Sequence, residues 1–252
     1  TLVSRFVAAF IIIKLLLKDK WSLHLERTFR FNPDWSMIRK ILSVGIPNGL
    51  ENSMFQLGKV LVLSLVSTFG TYAIAANAVS NVITLFSILP GQAICLAVTT
   101  VIARCVGAGD YEQAKYYNKK LILLTHIGMA ITIFIVFITL PFILKVYNLS
   151  EAASEATRHI IWFHGFCAIL IWAESFTLPA TFRACGDAKA CMIISTVSMW
   201  IFRVGASYIL GKNLGLGVFG VWVAMIIDWA FRSLLFGIRY FSGKWKKHAL
   251  VS

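Results

Sequence analysis

Seven apolar segments, most of them long enough to cross a lipid bilayer, divide this sequence. A transmembrane helix needs roughly 20 mostly apolar residues. The segments lie at about 2–17, 38–66, 72–103, 121–144, 158–182, 190–211 and 217–238. Of the 252 residues, 58% are hydrophobic, which is more apolar surface than a soluble domain of this length can bury. The sequence therefore predicts an all-α, polytopic membrane protein.

Lysine and arginine residues concentrate in alternate connectors between these segments. Sixteen lie on one predicted side of the membrane and three on the other, with six of the sixteen in the connector 18–40. Cytoplasmic loops carry an excess of these residues, so this connector and the C-terminus are predicted to be cytoplasmic, in a cell-membrane protein. The same bias accounts for the net charge of +13, and no nucleic-acid partner is expected. An odd number of spans places the two ends of a chain on opposite sides of the membrane. With a cytoplasmic C-terminus, seven spans put Thr1 on the far side, so we expect further spans upstream of it.

Several functional classes lack their motifs in this sequence. The five cysteines form no CxxC pair and have no histidine at ligand spacing, so no metal site is expected. HExxH and GxSxG are absent, which argues against an intramembrane enzyme. The GAGD turn at 107–110 is not a phosphate-binding loop, so direct use of ATP is not expected either. We expect no cofactor.

The segment 41–67 has membrane length but contains polar residues that hydrocarbon does not tolerate. Its proline and polar candidates are Pro47, Asn48, Glu51, Asn52, Gln56 and Lys59. A central acid or lysine costs about 2.5–3.5 kcal/mol in a membrane helix, so such groups face a bundle interior, a partner or water. Transporters place proline-interrupted helices around their binding sites. Glu51 is therefore predicted to line a cavity as a substrate or coupling group, or to pair with Lys59. The amides are predicted either to bind ligand or to join helices.

A second acid, Glu174, lies among apolar residues five positions before Pro179. Either a role in binding or coupling, or an ion pair with Arg203, explains a carboxylate at such a place. Asp228 and Arg232 are four residues apart, in the order that favours an ion pair on one helix face. We expect these two residues, with Arg203 nearby, to form a structural ion pair.

Prolines recur within the apolar segments and suggest helices bent around a cavity. Pro47, Pro90 and Pro179 are the predicted kinks, because neighbouring helices or water can satisfy the carbonyl that a proline frees. The aromatic residues expected to line the cavity are Phe55, Phe86, Trp172, Phe176 and Trp200. With acids at the kinks and Lys59 and Arg203 as the cations deep inside, the cavity is predicted to favour cationic substrates.

Five motifs together resemble one transporter family. They are GIPNGLENSMFQLGK at 45–59, IARCVGAGDYEQAK at 102–115, LPATFRACGDAK at 178–189, SMWIFRVGASYIL at 198–210 and GLGVFGVWVAMIIDWAFRSLLFGIRYFSGKW at 215–245. In this order they resemble the C-terminal half of a bacterial multidrug and toxic compound extrusion (MATE) transporter.

The resemblance implies twelve helices in two six-helix lobes around a cavity that opens to either side in turn. Residues 1–17 would be the last helix of the N-terminal lobe, 18–37 a cytoplasmic linker, 38–245 the C-terminal transport lobe and 246–252 a basic tail. Asp34 or Ser36 is expected to cap the helix after the linker. The N-terminal lobe of the same transporter would be a partner.

The function implied is export of organic cations and drugs in exchange for Na⁺ or H⁺, with Glu51 and Glu174 as coupling acids. A Na⁺ ion near either acid is possible on this reading. Two alternatives stay open. One is a flippase for lipid-linked precursors, from the same superfamily, whose cavity should be large and strongly cationic. The other is a truncated, non-functional half.

Overall fold

The chain is helical wherever its structure is described. The computed structural model describes residues 2–17, 34–243 and 245. The helices are α1 (Leu2–Leu16), α2 (Trp35–Ser67), α3 (Thr71–Gly107), α4 (Tyr111–Tyr147), α5 (Glu151–Ala184), α6 (Ala188–Asn213) and α7 (Gly217–Phe241). Each of α3 to α7 is long and apolar enough to cross a membrane. The predicted all-α, polytopic membrane fold is confirmed, while the domain boundaries stay a prediction. The linker 18–33 and the tail 246–252 lie outside the described residues.

The helices extend beyond the apolar segments because capped polar turns continue them. α4 begins ten residues before its apolar segment, and the Asp110 carboxylate accepts a hydrogen bond from the Gln113 backbone N–H at 2.8 Å. Asp34 caps α2 as predicted, accepting from the backbone N–H groups of Ser36 and Met37 at 2.9 and 3.1 Å. Hydropathy indicates the part of a helix that hydrocarbon surrounds, whereas capping residues indicate where the helix itself ends.

The helices α3, α4, α5 and α7 form the packed body of the chain. α3 packs against α4 and α5, α5 packs against α7, and α6 packs against both α5 and α7. One apolar core surrounds Trp172, Trp222 and Trp229, and a second surrounds Phe182 and Phe236. α2 meets this body at few points, which leaves room for a cavity between them.

Small residues let α3 and α5 approach closely above that cavity. A Cβ atom added at Gly91 of α3 would lie 2.3 Å from the ring of Trp172 in α5. Only a residue without a side chain fits there, as is common between membrane helices.

The irregular backbone lies in α6 and not at the prolines. Residues Met199–Gly205 and Tyr208–Asn213 are π-helical, whereas Pro47, Pro90 and Pro179 lie within α-helical stretches. Kinks at these prolines stay a prediction. Single π turns occur often at functional sites, and the π segment of α6 carries Arg203.

Candidate functional site

A cavity of about 640 Å³ lies between α2 and the packed body of the chain. Residues of α2, α3, α5, α6 and α7 line it, with five aromatic rings among them. Those rings are Phe55, Trp172, Phe176, Trp222 and Trp229. A second cavity of about 220 Å³ shares Lys59, Arg203 and Met225 with the first. The volume suits a drug-sized ligand, for which sites of roughly 300–1,000 Å³ are usual.

Glu51 lines this cavity, as the sequence predicts, but its charge is already matched. Arg183 Nη2 of α5 donates to both carboxylate oxygens at 2.9 Å. Arg232 Nη2 of α7 lies 3.8 Å from Oε1, and the Glu51 side chain is 8% exposed. The alternative partner Lys59 is not used. Glu51 therefore acts as a buried anchor that joins α2 to α5 and α7.

The predicted ion pair of Asp228 and Arg232 is not formed within 4 Å in the described residues. Asp228 is fully buried and its Oδ1 accepts from the Ser198 hydroxyl of α6, while Arg232 turns toward Glu51. The spacing is right for a pair, but each side chain has a closer partner on another helix. The two charges still interact over a longer distance, and a structural ion pair on α7 stays a prediction.

Lys59 and Arg203 lie at the same aromatic ring. Lys59 Nζ is 5.1 Å and the Arg203 guanidinium carbon is 5.2 Å from the centre of the Phe55 ring. Arg203 Nη2 donates to the Met225 sulfur at 3.1 Å, and a thioether is a weak acceptor. Among the described residues, neither cation has a carboxylate within 4 Å.

The cavity wall carries more positive charge than the sequence predicts. Lys59, Arg183, Arg203 and Arg232 line it, and Glu51 is the carboxylate that lines it within the described ranges. Sequence reasoning counted Lys59 and Arg203 as the deep cations and assigned Arg183 to a connector. α5 instead continues to Ala184, so Arg183, four residues after Pro179, still belongs to the cavity face. Arg183 and Arg232 thus add to the two deep cations that the sequence predicts.

Glu174 does not line the cavity. On an ideal helix it points about 160° away from Phe176 of the cavity face, because each residue turns by 100°. Glu174 Oε1 lies 2.9 Å from Nε2 of His126 in α4, and no ion pair with Arg203 forms. No local pattern in the sequence identifies this contact, because the two residues are 48 positions apart.

The remaining predicted residues divide between the cavity and its surroundings. Asn52 lines the cavity. Asn48 and Gln56 are not among the lining residues, and the Asn48 carbonyl accepts a hydrogen bond from the Asn52 side chain at 3.0 Å. Phe86 and Trp200 also lie outside the lining, so the aromatic prediction is confirmed in part.

Comparison with known proteins gives consistent matches. The MatE family model matches residues 47–209. The probable multidrug resistance protein NorM of Thermotoga maritima is 27% identical over 100% of this chain and 54% of its own length. The probable multidrug resistance protein YoeA of Bacillus subtilis is 25% identical over the same shares. The chain spans about half the length of the curated relatives it matches.

The fold also matches a solved structure. An outward-facing multidrug resistance MATE family transporter of the MOP superfamily superposes with a TM-score of 0.86 at 19% identity. The match covers 98% of this chain and 56% of that one. At this identity the likeness shows the fold.

Proposed function

Because this chain belongs to the MatE family, and family members are transporters rather than enzymes, we propose that it supplies half of an ion-coupled exporter of organic molecules. The exporter works by alternating access in the cell membrane, with the C-terminus of this chain in the cytoplasm. The coupling ion is H⁺. The resemblance implies organic cations and drugs as cargo, whereas the wall of the cavity is positively charged.

The cavity supports the exporter proposal. It is formed by five helices, combines aromatic rings with polar groups and has the volume of a drug-sized ligand. Its α2 wall meets the rest of the chain at few points: the Glu51 anchor, Gly58 against Met199, and Leu65 and Val66 in the apolar core. A loosely held wall beside a rigid body suits a cavity that opens and closes.

The hydrogen bonds of His126 carry the assignment of H⁺ as coupling ion. Its Nδ1 lies 2.7 Å from the Ile169 carbonyl oxygen, which can only accept, so Nδ1 holds a hydrogen. Its Nε2 lies 2.9 Å from a Glu174 oxygen. A neutral ring then has a lone pair at Nε2, so this contact needs one further proton. That proton lies on Nε2 or on the Glu174 carboxyl.

Release of that proton breaks the His126–Glu174 contact between α4 and α5. Without it, the Nε2 lone pair faces the lone pairs of a carboxylate, and the two side chains repel. The His126 and Glu174 side chains are 26% and 31% exposed, so neighbouring residues of the chain do not enclose the pair. Protonation is therefore linked to the packing of two helices, and α5 also forms part of the cavity wall.

Na⁺ has less support at the two candidate acids. Sodium prefers several oxygen ligands, but both Glu51 oxygens accept from Arg183. At Glu174 one oxygen faces His126. Among the described residues no group of three or more His, Cys, Asp or Glu side chains converges on a possible ion site.

The test uses the complete reading frame that contains this chain, reconstituted in proteoliposomes. Export of a fluorescent dye is measured with a proton gradient and a sodium gradient imposed separately. We expect the proton gradient to drive export, and Glu174→Gln and His126→Gln to abolish the response to it. The carboxamide of Gln cannot release a proton, although its N–H can still donate to the Nε2 lone pair.

Glu155→Gln is the matched control for this experiment. Glu155 and His159 form a second, exposed His–Glu pair on α5, 3.8 Å apart. We expect this variant to respond like the wild type. Export driven by sodium alone, or a proton response that survives Glu174→Gln, contradicts the proposed coupling site.

The flippase is the second candidate, and one observation favours it. The sequence-based expectation for a flippase is a strongly cationic cavity, and four cationic side chains line this one. A lipid-linked pyrophosphate would place its charge among them. Transfer of such a lipid between leaflets of a proteoliposome, without dye export, would support this candidate over the exporter.

A further inference from the structure

Three cationic side chains surround a single aromatic ring in the cavity. Lys59 Nζ and the guanidinium carbons of Arg203 and Arg232 lie 5.1, 5.2 and 5.7 Å from the centre of the Phe55 ring. The face of a phenyl ring attracts a cation by about 0.5–2 kcal/mol. That attraction does not offset the repulsion among three positive charges in a partly dry site.

The carboxylates near this cluster do not neutralise it. Glu51 Oε1 lies 3.8 Å from Arg232, but both Glu51 oxygens already accept from Arg183. Asp228 lies behind the wall with no exposed surface, and its Oδ1 accepts from Ser198. The charge of Asp228 still acts on Arg203 and Arg232 from behind the wall, so four cations meet two carboxylates and a net positive charge remains.

Arg232 points to what the cluster is built to bind. Its side chain is 4% exposed and lines the cavity, yet its Nε and Nη1 atoms have no hydrogen-bond partner in the described residues. Buried guanidinium donors normally bond to carboxylate, phosphate or another oxygen acceptor. Because Arg232 Nε and Nη1 are themselves buried, Arg232 contributes positive charge to the wall, while the exposed Lys59 ammonium presents donors to an anionic ligand.

The neighbouring side chains indicate the rest of the ligand. The Arg232 guanidinium also lies 5.2 Å from the Phe176 ring, which stacks on Trp172 with ring centres 5.0 Å apart. Asn52 and Asn81 add amide groups to the same cavity. The wall thus places an anion-binding cluster next to a flat aromatic surface.

We propose that the cavity binds an amphipathic organic anion, whose carboxylate, sulfonate or phosphate group contacts Lys59, Arg203 and Arg232 around Phe55. The apolar part of the ligand packs on Phe176 and Trp172. This inference rests on the proposed export function, since it names the class of molecule that the exporter would carry. It assigns the opposite charge to that implied by the family resemblance.

The test measures equilibrium binding and needs no ion gradient. Protein from the complete reading frame is placed in phosphatidylcholine nanodiscs, and tryptophan fluorescence is recorded with three ligands of equal size. They are 2-naphthalenesulfonate, 2-naphthalenemethanol and 2-naphthylmethylammonium. We expect the sulfonate to bind at least about tenfold tighter than the alcohol, as hydrogen bonds from charged donors imply, and the ammonium to bind most weakly.

Lys59→Gln is the diagnostic variant, because Lys59 is exposed at the cavity and forms no ion pair in the described residues. We expect it to weaken sulfonate binding about tenfold and to leave binding of the alcohol unchanged. Lys145→Gln, an exposed lysine in the last turn of α4, is the matched control and should bind the sulfonate like the wild type. Arg203→Gln, judged only if its unfolding midpoint is normal, should repeat the effect of Lys59→Gln.

The outcomes separate this inference from the exporter proposal. Equal affinity for the three ligands, or sulfonate binding that survives Lys59→Gln, overturns the anion site even if dye export is intact. Charge-selective, Lys59-dependent binding supports the site even if no gradient drives export. The last measurement uses geranylgeranyl pyrophosphate as a competitor of the sulfonate. Displacement by nanomolar amounts supports a lipid pyrophosphate as the source of the anion. Displacement only at concentrations near the dissociation constant of the sulfonate supports a free organic anion.

Discussion

Glu51 and Glu174 are two acids on proline-containing membrane helices, and their surroundings give them opposite chemistry. Glu51 meets two guanidinium groups, which stay protonated at any physiological pH. Glu174 meets one histidine, which can gain or lose a proton in this range. The first acid is therefore matched by two fixed positive charges and holds α2 in place, whereas the coupling proposal has the second share a proton with its partner. The identity of the partner, and not the presence of an acid in a membrane helix, decides which role is available.

The largest expected effect is loss of stability in Glu51→Gln. The change leaves Arg183 and Arg232 as uncompensated charges, and breaking a buried ion pair from one side costs about 3–5 kcal/mol. We expect a large drop in the thermal unfolding midpoint of the purified protein. Glu155→Gln is the control, because its exposed pair with His159 should contribute less than about 1 kcal/mol.

A normal unfolding midpoint for Glu51→Gln, together with loss of export, would contradict the anchor and return Glu51 to the coupling role. The double variant Glu51→Gln/Arg183→Gln sharpens the test. Because it removes one of the stranded charges, its midpoint should lie above that of Glu51→Gln alone.

A smaller effect on stability is expected at the second acid. His126→Ala removes the partner of Glu174 and of the Ile169 carbonyl, and an unsatisfied buried polar group costs about 1–3 kcal/mol. Glu174→Gln keeps a partner for Nε2, since the Gln amide N–H donates to the Nε2 lone pair, so its unfolding midpoint at neutral pH should stay near that of the wild type. The two changes are compared by thermal unfolding across pH 5 to 8.

The pH dependence distinguishes a shared proton from an ordinary hydrogen bond. Loss of the proton at high pH breaks the wild-type contact but not the contact of Glu174→Gln, whose amide N–H can donate to the Nε2 lone pair. The difference in midpoint between the two proteins should therefore change with pH. A constant difference would mean that the pair exchanges no proton in this range.

Sequence reasoning predicted the helices and the family more fully than the contacts between charges. Membrane spans, caps such as Asp34 and Asp110, and the position of Glu51 at a cavity follow from local composition and spacing. The partners of Glu51, Glu174 and Asp228 do not, because each lies on another helix and many residues away. Spacing along one helix proposed Asp228 with Arg232, whereas the closer partners of these two side chains, a hydroxyl and a carboxylate, lie on other helices.

Arg183 shows where a local signal was present but misread. Its position in a basic connector favoured a cytoplasmic role, yet it lies four residues after Pro179 on the same helix face. Extending α5 by two residues beyond its apolar segment places Arg183 at the cavity. The π-helical part of α6, by contrast, has no signature in the sequence that spacing or composition reveals.

The smallest expected effect concerns the rest of the α2 wall. A Cβ atom added at Gly58 would lie 2.4 Å from Cε of Met199, the end of a flexible side chain that can turn away. Overpacking costs about 1–3 kcal/mol in the free energy of unfolding. We therefore expect the cost of Gly58→Ala to lie toward the lower end of this range. Gly45→Ala is the matched control on the same helix, since no atom lies within 4 Å of its added Cβ. If Gly58→Ala destabilises the protein as much as Glu51→Gln, packing along α2 and not the buried carboxylate holds this wall in place. Glu51 would then not differ from Glu174 by serving as a structural anchor.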